Sequence, residues 1–338
     1  MLLFVHSAAH LLVDAVCAAA LFGPLKGQED LTALILLYNT LAFSTQCLVG
    51  LAADRIGKHR ISAAAAMLCV AAGFFLPLPA LLRVMLIGLG NSVFHVAAGT
   101  ETMINSGGKA APLGVFVAPG AIGIAVGTLF PALGPVLAGL LILAAAASLL
   151  VKAPVQPAVK RPGAAPRSPL AAVLLLTAAV SVRAVGGASV SFPWQTGPLL
   201  ILLATGCVFA GKFAGGFLCD RVGAGWAAWL SVPLAAVLIT FCETWMAPSL
   251  LGQFALNLTM PITLWLLYCA MPKNPGFAFG MAASALWPGT LLGKLIHLSG
   301  PSRWWILLLC FLFGLFAILI SLPKNSTGRG LARSRSES

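Results

Sequence analysis

A chain of 338 residues that is 60% hydrophobic and 8% charged, with a mean hydropathy of +1.00, has no way to bury its apolar surface in water; soluble domains carry about 25% charged residues. Its net charge of +12 does not indicate nucleic acid, because the basic residues fall in short loops and the tail, where topology determinants sit. The eight cysteines form no CxxC pair and lie mostly in apolar runs, which argues against a metal knuckle or disulfide framework.

In lipid every backbone polar group must be satisfied within its own segment or in a closed barrel. The apolar runs are about 20 residues long without strict alternation, so helices are predicted rather than a barrel. The predicted spans are 2–22, 31–53, 60–78, 80–103, 110–131 and 133–151, then 170–192, 197–219, 225–245, 248–270, 276–298 and 303–322. The first is read as a span and not a cleaved signal, because it lacks a basic n-region and a small-residue cleavage site and contains Asp14. Lys152 to Pro169 holds Lys152, Lys160, Arg161, Arg167, five prolines and no acid, the composition of an extended linker. The expected organisation is a six-helix bundle over 1–151, a basic linker over 152–169, a second six-helix bundle over 170–322 and a disordered basic tail over 323–338. With the linker on one side, that side carries fourteen Lys and Arg and the other four, which places linker, tail and both termini in the cytoplasm.

The halves repeat. Gly50-Leu51-Ala52-Ala53-Asp54-Arg55-Ile56-Gly57 returns 166 residues later as Gly216-Phe217-Leu218-Cys219-Asp220-Arg221-Val222-Gly223. The same offset relates Asn91 to Asn257, Gly114 to Gly280, Gly123 to Gly289 and Gly127 to Gly293. A duplicated, very apolar chain is the signature of a transporter with two pseudo-equivalent halves. Gly50 allows close helix approach. Asp54 stands at a helix end, where it can pair with a cation or cap a neighbouring helix.

Gly50 to Arg60 resembles the loop motif of the major facilitator superfamily. Gly90-Asn91-Ser92-Val93-Phe94-His95, Ser106-Gly107-Gly108-Lys109, the Gly120, Gly123, Gly127 series, His10 to Asp14, and Met271-Pro272 through Gly280 to Gly293 resemble its fosmidomycin-resistance, drug-efflux branch. The resemblance implies an all-α membrane protein of twelve helices in two six-helix bundles. It also implies a gate latch at Gly50, Asp54, Arg55 and Gly57 and at Gly216, Asp220, Arg221 and Gly223, and a monomer. The glycines 114, 120, 123, 127, 280, 289 and 293 read either as ordinary helix packing or as a rocking seam between bundles.

Ionisable groups inside a span default to functional hypotheses. His6, His10 and Asp14 are spaced by four on one face of the first helix; Asn91 and His95 share a face of the fourth, and Gln253 and Asn257 one of the tenth. Arg183 falls mid-way along the seventh. In the resembled superfamily these four helices line the central cavity, so the polar groups are expected to converge. Asp14 reads as the proton carrier, with His10 or His95 as relay. Arg183, Asn91, Asn257 and Gln253 read as substrate-binding, Arg183 as an anion hook or compensating charge. Lys212 reads as a lysine snorkelling to the interface. His-x3-His-x3-Asp is also a zinc-compatible spacing, but one straight helix rarely supplies a whole site, so no metal is expected.

There is no Gly-x4-Gly-Lys-[Ser/Thr] run, nucleophile elbow, HExxH or mid-span carboxylate pair, so neither ATP-driven transport nor an enzyme is expected. The reading is a secondary transporter of the cell membrane, coupled to a proton gradient without a cofactor. It exports a small organic molecule by antiport, with lipid as its only other partner. The alternatives are a facilitator or an uptake symporter of a small anionic metabolite and, more remotely, a non-transporting sensor or enzyme. Arg183, with Lys212, outnumbers Asp14, which favours anionic or zwitterionic cargo.

Overall fold

The computed structural model describes residues 1–151, 165–296 and 300–323, with the side chains of Gly300 and Pro301 outside the description. The predicted linker up to residue 164 and the tail beyond Pro323 lie outside it too. Among the described residues, helical segments that follow one another closely form twelve rods, several of them bent. They are α1 (Leu2–Phe22), α2 (Leu31–Ile56), α3 (His59–Phe75), α4 (Ala80–Ile104), α5 (Ala111–Leu129) and α6 (Pro131–Leu150). The second half supplies α7 (Pro169–Ser189), α8 (Gly197–Val222), α9 (Ala224–Phe241), α10 (Met246–Ala270), α11 (Pro275–Ser284 with Leu286–Leu295) and α12 (Gly300–Ile320). Among the described residues ten are long and apolar enough to cross a membrane; α3, with 17 residues, and the divided α11 fall outside that measure. α3 stops earlier than the pattern to residue 78 predicts, because Leu76, before Pro77, is extended (φ −72°, ψ 143°); a residue preceding proline is pushed out of the helical region.

The outward surface is what lipid requires. Leu140, Leu143, Leu199, Leu309, Leu312 and Phe316 are exposed along the rods, an arrangement that water would penalise. The chain is therefore a multi-pass membrane protein. The eight cysteines are unpaired.

Within the first half α1 lies along α5, and α3 packs on α4 and α6; within the second, α7 lies along α11 and α12, and α9 on α10 and α12. The halves meet mainly through α2 against α11 and α5 against α8. Glycine position decides both kinds of contact. Gly123 and Gly127 lie on the carbonyls of Leu11 and Ala15 in α1, and Gly289 and Gly293 on those of Ser181 and Val185 in α7. These four pack inside their own half, not along a rocking seam. Gly114 against Lys212 and Phe213, and Gly280 against Gln46 and Cys47, lie between the halves, as do Gly50 against Gly276 and Gly216 against Ala110.

A methyl group at Gly127 would strike the Ala15 carbonyl and the Ala18 side chain, whereas one at Gly139 meets nothing within 4 Å. Gly127→Ala is expected to destabilise the protein by about 1–3 kcal/mol through overpacking. Gly139→Ala should be neutral or stabilising, by up to about 1 kcal/mol. Thermal unfolding of the two purified variants, followed in detergent, checks the difference.

Candidate functional site

α5 is interrupted at Ala118, ahead of Pro119. Proline supplies no N–H, so backbone acceptors near such a break need other donors. Here the Phe116 carbonyl accepts the His10 Nδ1–H at 2.7 Å. Gly120, one turn on, has no side chain, and His10 and Asp14 occupy the space a Cβ would fill. From α4, His95 Nδ1 donates to the Asn91 carbonyl at 2.9 Å. The two rings then meet edge to face with their Nε2 atoms 2.8 Å apart. Asp14 lies beside both, its Oδ2 3.4 Å from His10 Nε2 and its Oδ1 3.6 Å from His95 Nε2. Asn91 Nδ2 donates to Asp14 Oδ1 at 2.9 Å and to the Tyr38 hydroxyl of α2 at 3.1 Å. All five side chains are buried.

This cluster forms one wall of a cavity of about 110 Å³. The facing wall comes from the second half: Val180 and Arg183 of α7, Lys212 of α8, and Met260 and Thr263 of α10. Arg183 Nη1 donates to Thr259 Oγ1 at 2.9 Å, just past the bend of α10 at Leu258. A second cavity of about 320 Å³ begins at Arg183 and Lys212 and continues toward the far end of α7, lined by Phe192, Gln253 and Asn257. The predicted polar groups thus separate into two sets. His10, Asp14, Asn91 and His95 come together; Gln253 and Asn257 sit in the second cavity, and Arg183 touches both.

Three outcomes differ from the sequence reading. Lys212 does not snorkel: it lines both cavities, because α8 faces α5 and the other half at that level instead of lipid. His6 has left the shared face and pairs with Ser148 Oγ at 2.9 Å; two steps of four residues rotate a helix by about 80°. Tyr38 and Gln46 belong to the site and were not singled out. They flank a π-helical stretch, Thr40–Ser44, a feature concentrated at functional sites.

At the cavity the repeat carries geometry without chemistry. At the 166-residue offset His10 corresponds to Leu176, Asp14 to Val180, Cys17 to Arg183, Gln46 to Lys212 and His95 to Pro261. The acid and its histidines belong to one half, the cations to the other. The candidate ligand atoms of His10, Asp14 and His95 all lie within 4.8 Å of one another, close enough to share one ion.

On the face where the linker leaves α6, Asp54 accepts from the Gly276 and Phe277 N–H groups that open α11, at 2.7 and 2.8 Å. Asp220 accepts from Ala110 and Ala111 at the start of α5, at 2.8 and 2.9 Å. Each repeated aspartate therefore caps a helix of the opposite half. Gly57 (φ +67°) and Gly223 (φ +87°) end the helices with a backbone that other residues rarely adopt. Trp265 Nε1 adds a bond to the Gly108 carbonyl at 2.8 Å. Arg60 differs from its counterpart Trp226: it donates to the Ser148 and Leu149 carbonyls at the end of α6. Arg55 and Arg221 are exposed.

No protein-family model and no curated protein matches the chain. Solved structures do. A variant of the E. coli fucose:proton symporter FucP is similar at TM-score 0.71 and 12% identity, over 95% of this chain and 98% of the other. FucP, a major facilitator superfamily transporter solved in the outward conformation, is similar at TM-score 0.64 and 13% identity, over 94% and 98%. The human organic anion transporter MFSD10 is similar at TM-score 0.64 and 14% identity, over 95% and 98%. The chain has the major facilitator fold.

Proposed function

We propose that this protein is a proton-coupled secondary transporter that carries a small organic anion by alternating access. The observation behind this is the division of charge: a buried carboxylate with two histidines on one half faces two cations on the other across a single cavity. The solved structures it matches are transporters, not enzymes. Two six-helix bundles over 1–151 and 170–322, twelve spans, cytoplasmic linker and termini, a plasma or inner membrane setting and a monomeric state complete the reading. The aspartate caps tie the bundles together on the linker face, which supports a state closed toward the cytoplasm.

The charges also supply a route to coupling. With the cluster deprotonated, its negative charge competes with an anion for Arg183 and Lys212; a bound proton removes that competition. Proton and anion then favour each other's binding, and the effect is reciprocal. This supports movement of the two together. Export by antiport, expected from the drug-efflux resemblance, instead requires proton and cargo to compete for one site.

Proteoliposomes with an imposed pH difference and a panel of small carboxylates, phosphonates and neutral sugars test the proposal. Proton-driven uptake confined to anions is the expected result; gradient-independent flux, or a preference for neutral or cationic cargo, rejects it. Arg183→Gln and Lys212→Gln are each expected to weaken anion binding about 10- to 100-fold, the value of a charged hydrogen bond of about 1.5–3 kcal/mol. Direct binding titration of the accepted anion measures this.

A further inference from the structure

The hydrogen bonds around the two histidines leave one proton unaccounted for. The Phe116 and Asn91 carbonyls can only accept, so both Nδ1 atoms carry hydrogen. In neutral rings both Nε2 atoms are then bare. Yet they stand 2.8 Å apart, at hydrogen-bond distance and too close for a water between them, with the Asp14 carboxylate next to both. Two imidazole lone pairs and an anion facing one another in a buried pocket repel strongly. Among the described residues no other donor bonds either Nε2 atom. The donors of Asn91 go to Asp14 and Tyr38, its Oδ1 is a further buried acceptor, and Ser148 holds His6 elsewhere. Lys212 and Arg183 face the cluster from α8 and α7, while Cys17 and Tyr38 complete its surroundings on α1 and α2.

We infer that His10 and His95 share a single proton between their Nε2 atoms, held as an imidazolium–imidazole pair with ionised Asp14 as its counter-charge. The proton resides on one Nε2 while the other accepts it, and protonation takes the cluster from a charge of minus one to zero. The distances from Asp14 to either ring exceed the roughly 2.7–2.9 Å of a charge-assisted N–H···O bond, so the carboxylate acts as counter-ion and not as the bonded carrier. This shifts the proton-binding role from Asp14, its expected carrier, to the pair. It rests on the reading of the cluster as the coupling site, but concerns only where the proton sits.

The experiment is solid-state NMR of the full-length protein, ¹⁵N-labelled at histidine, in lipid bilayers treated with a chelator. The chain has five histidines, and His6→Gln and His59→Gln, away from the cluster, assist assignment. The expected result is an Nε2–H···Nε2 correlation between two rings that both carry hydrogen at Nδ1. It should vanish in His10→Gln and in His95→Gln and leave the remaining ring as an isolated signal. Infrared spectra should show no protonated carboxyl band that Asp14→Asn removes. The wild-type spectrum decides even if a variant fails to fold. Two bare Nε2 atoms or a protonated Asp14 carboxyl each overturn the inference. Proton-driven transport with bare Nε2 atoms would sink this inference alone; an intact pair in a protein without proton-driven transport would sink the coupling reading instead.

Discussion

Asp14→Asn is expected to abolish proton-driven accumulation while leaving exchange of labelled for unlabelled anion across the membrane. A pH difference of one unit is worth about 1.4 kcal/mol per proton, enough for about tenfold accumulation of a cargo moved with it. The variant should reach only the level set by the cargo's own gradient. The amide keeps the size of the side chain and can still meet Asn91, so loss of charge and not of shape is what is tested. Without the anion no counter-charge remains for a proton on His10 and His95, and the cluster no longer changes charge state as the halves move. Accumulation by Asp14→Asn equal to the wild type would remove the cluster from coupling.

Replacing both repeated aspartates should open the linker face. Asp54→Ala removes two hydrogen bonds from the start of α11, and Asp220→Ala two from the start of α5. A carboxylate cap is worth about 1–2 kcal/mol, with the helix dipole included. The sites share no partner, so their effects should add. The pair then shifts the equilibrium between closed and open by about 2–4 kcal/mol, or about 30- to 900-fold. Spin labels at exposed Lys58 and Lys273, one on each half, in a background without native cysteines, report the distance across this face. A longer distance population in the double variant is the expected result. An unchanged distribution would show that the remaining contacts between the halves hold the face shut.

The sequence by itself settled the solvent, the helices and their duplication. Apolar runs of membrane length allow only one way of satisfying the backbone, and the 166-residue offset records the two halves. It also placed Asp54 and Asp220 at helix ends, just past the predicted spans 31–53 and 197–219; in the structure a glycine of positive φ follows three residues later in each copy. What it left undecided was which polar groups meet. Helical spacing puts His6 with His10 and Asp14, but one helix cannot say which neighbour each turn faces; α6 takes His6 and α4 takes the other two. Lys212 is snorkelling or cavity-lining according to whether α8 turns that face to lipid or to α5, a matter of packing between chain segments about 100 residues apart. The Nδ1 bonds that fix both histidines end on backbone carbonyls, which carry no side-chain signal. Periodicity follows from local geometry and is legible in one dimension; the meeting of an acid, two imidazoles and two cations depends on long-range helix rotation and exists only in three.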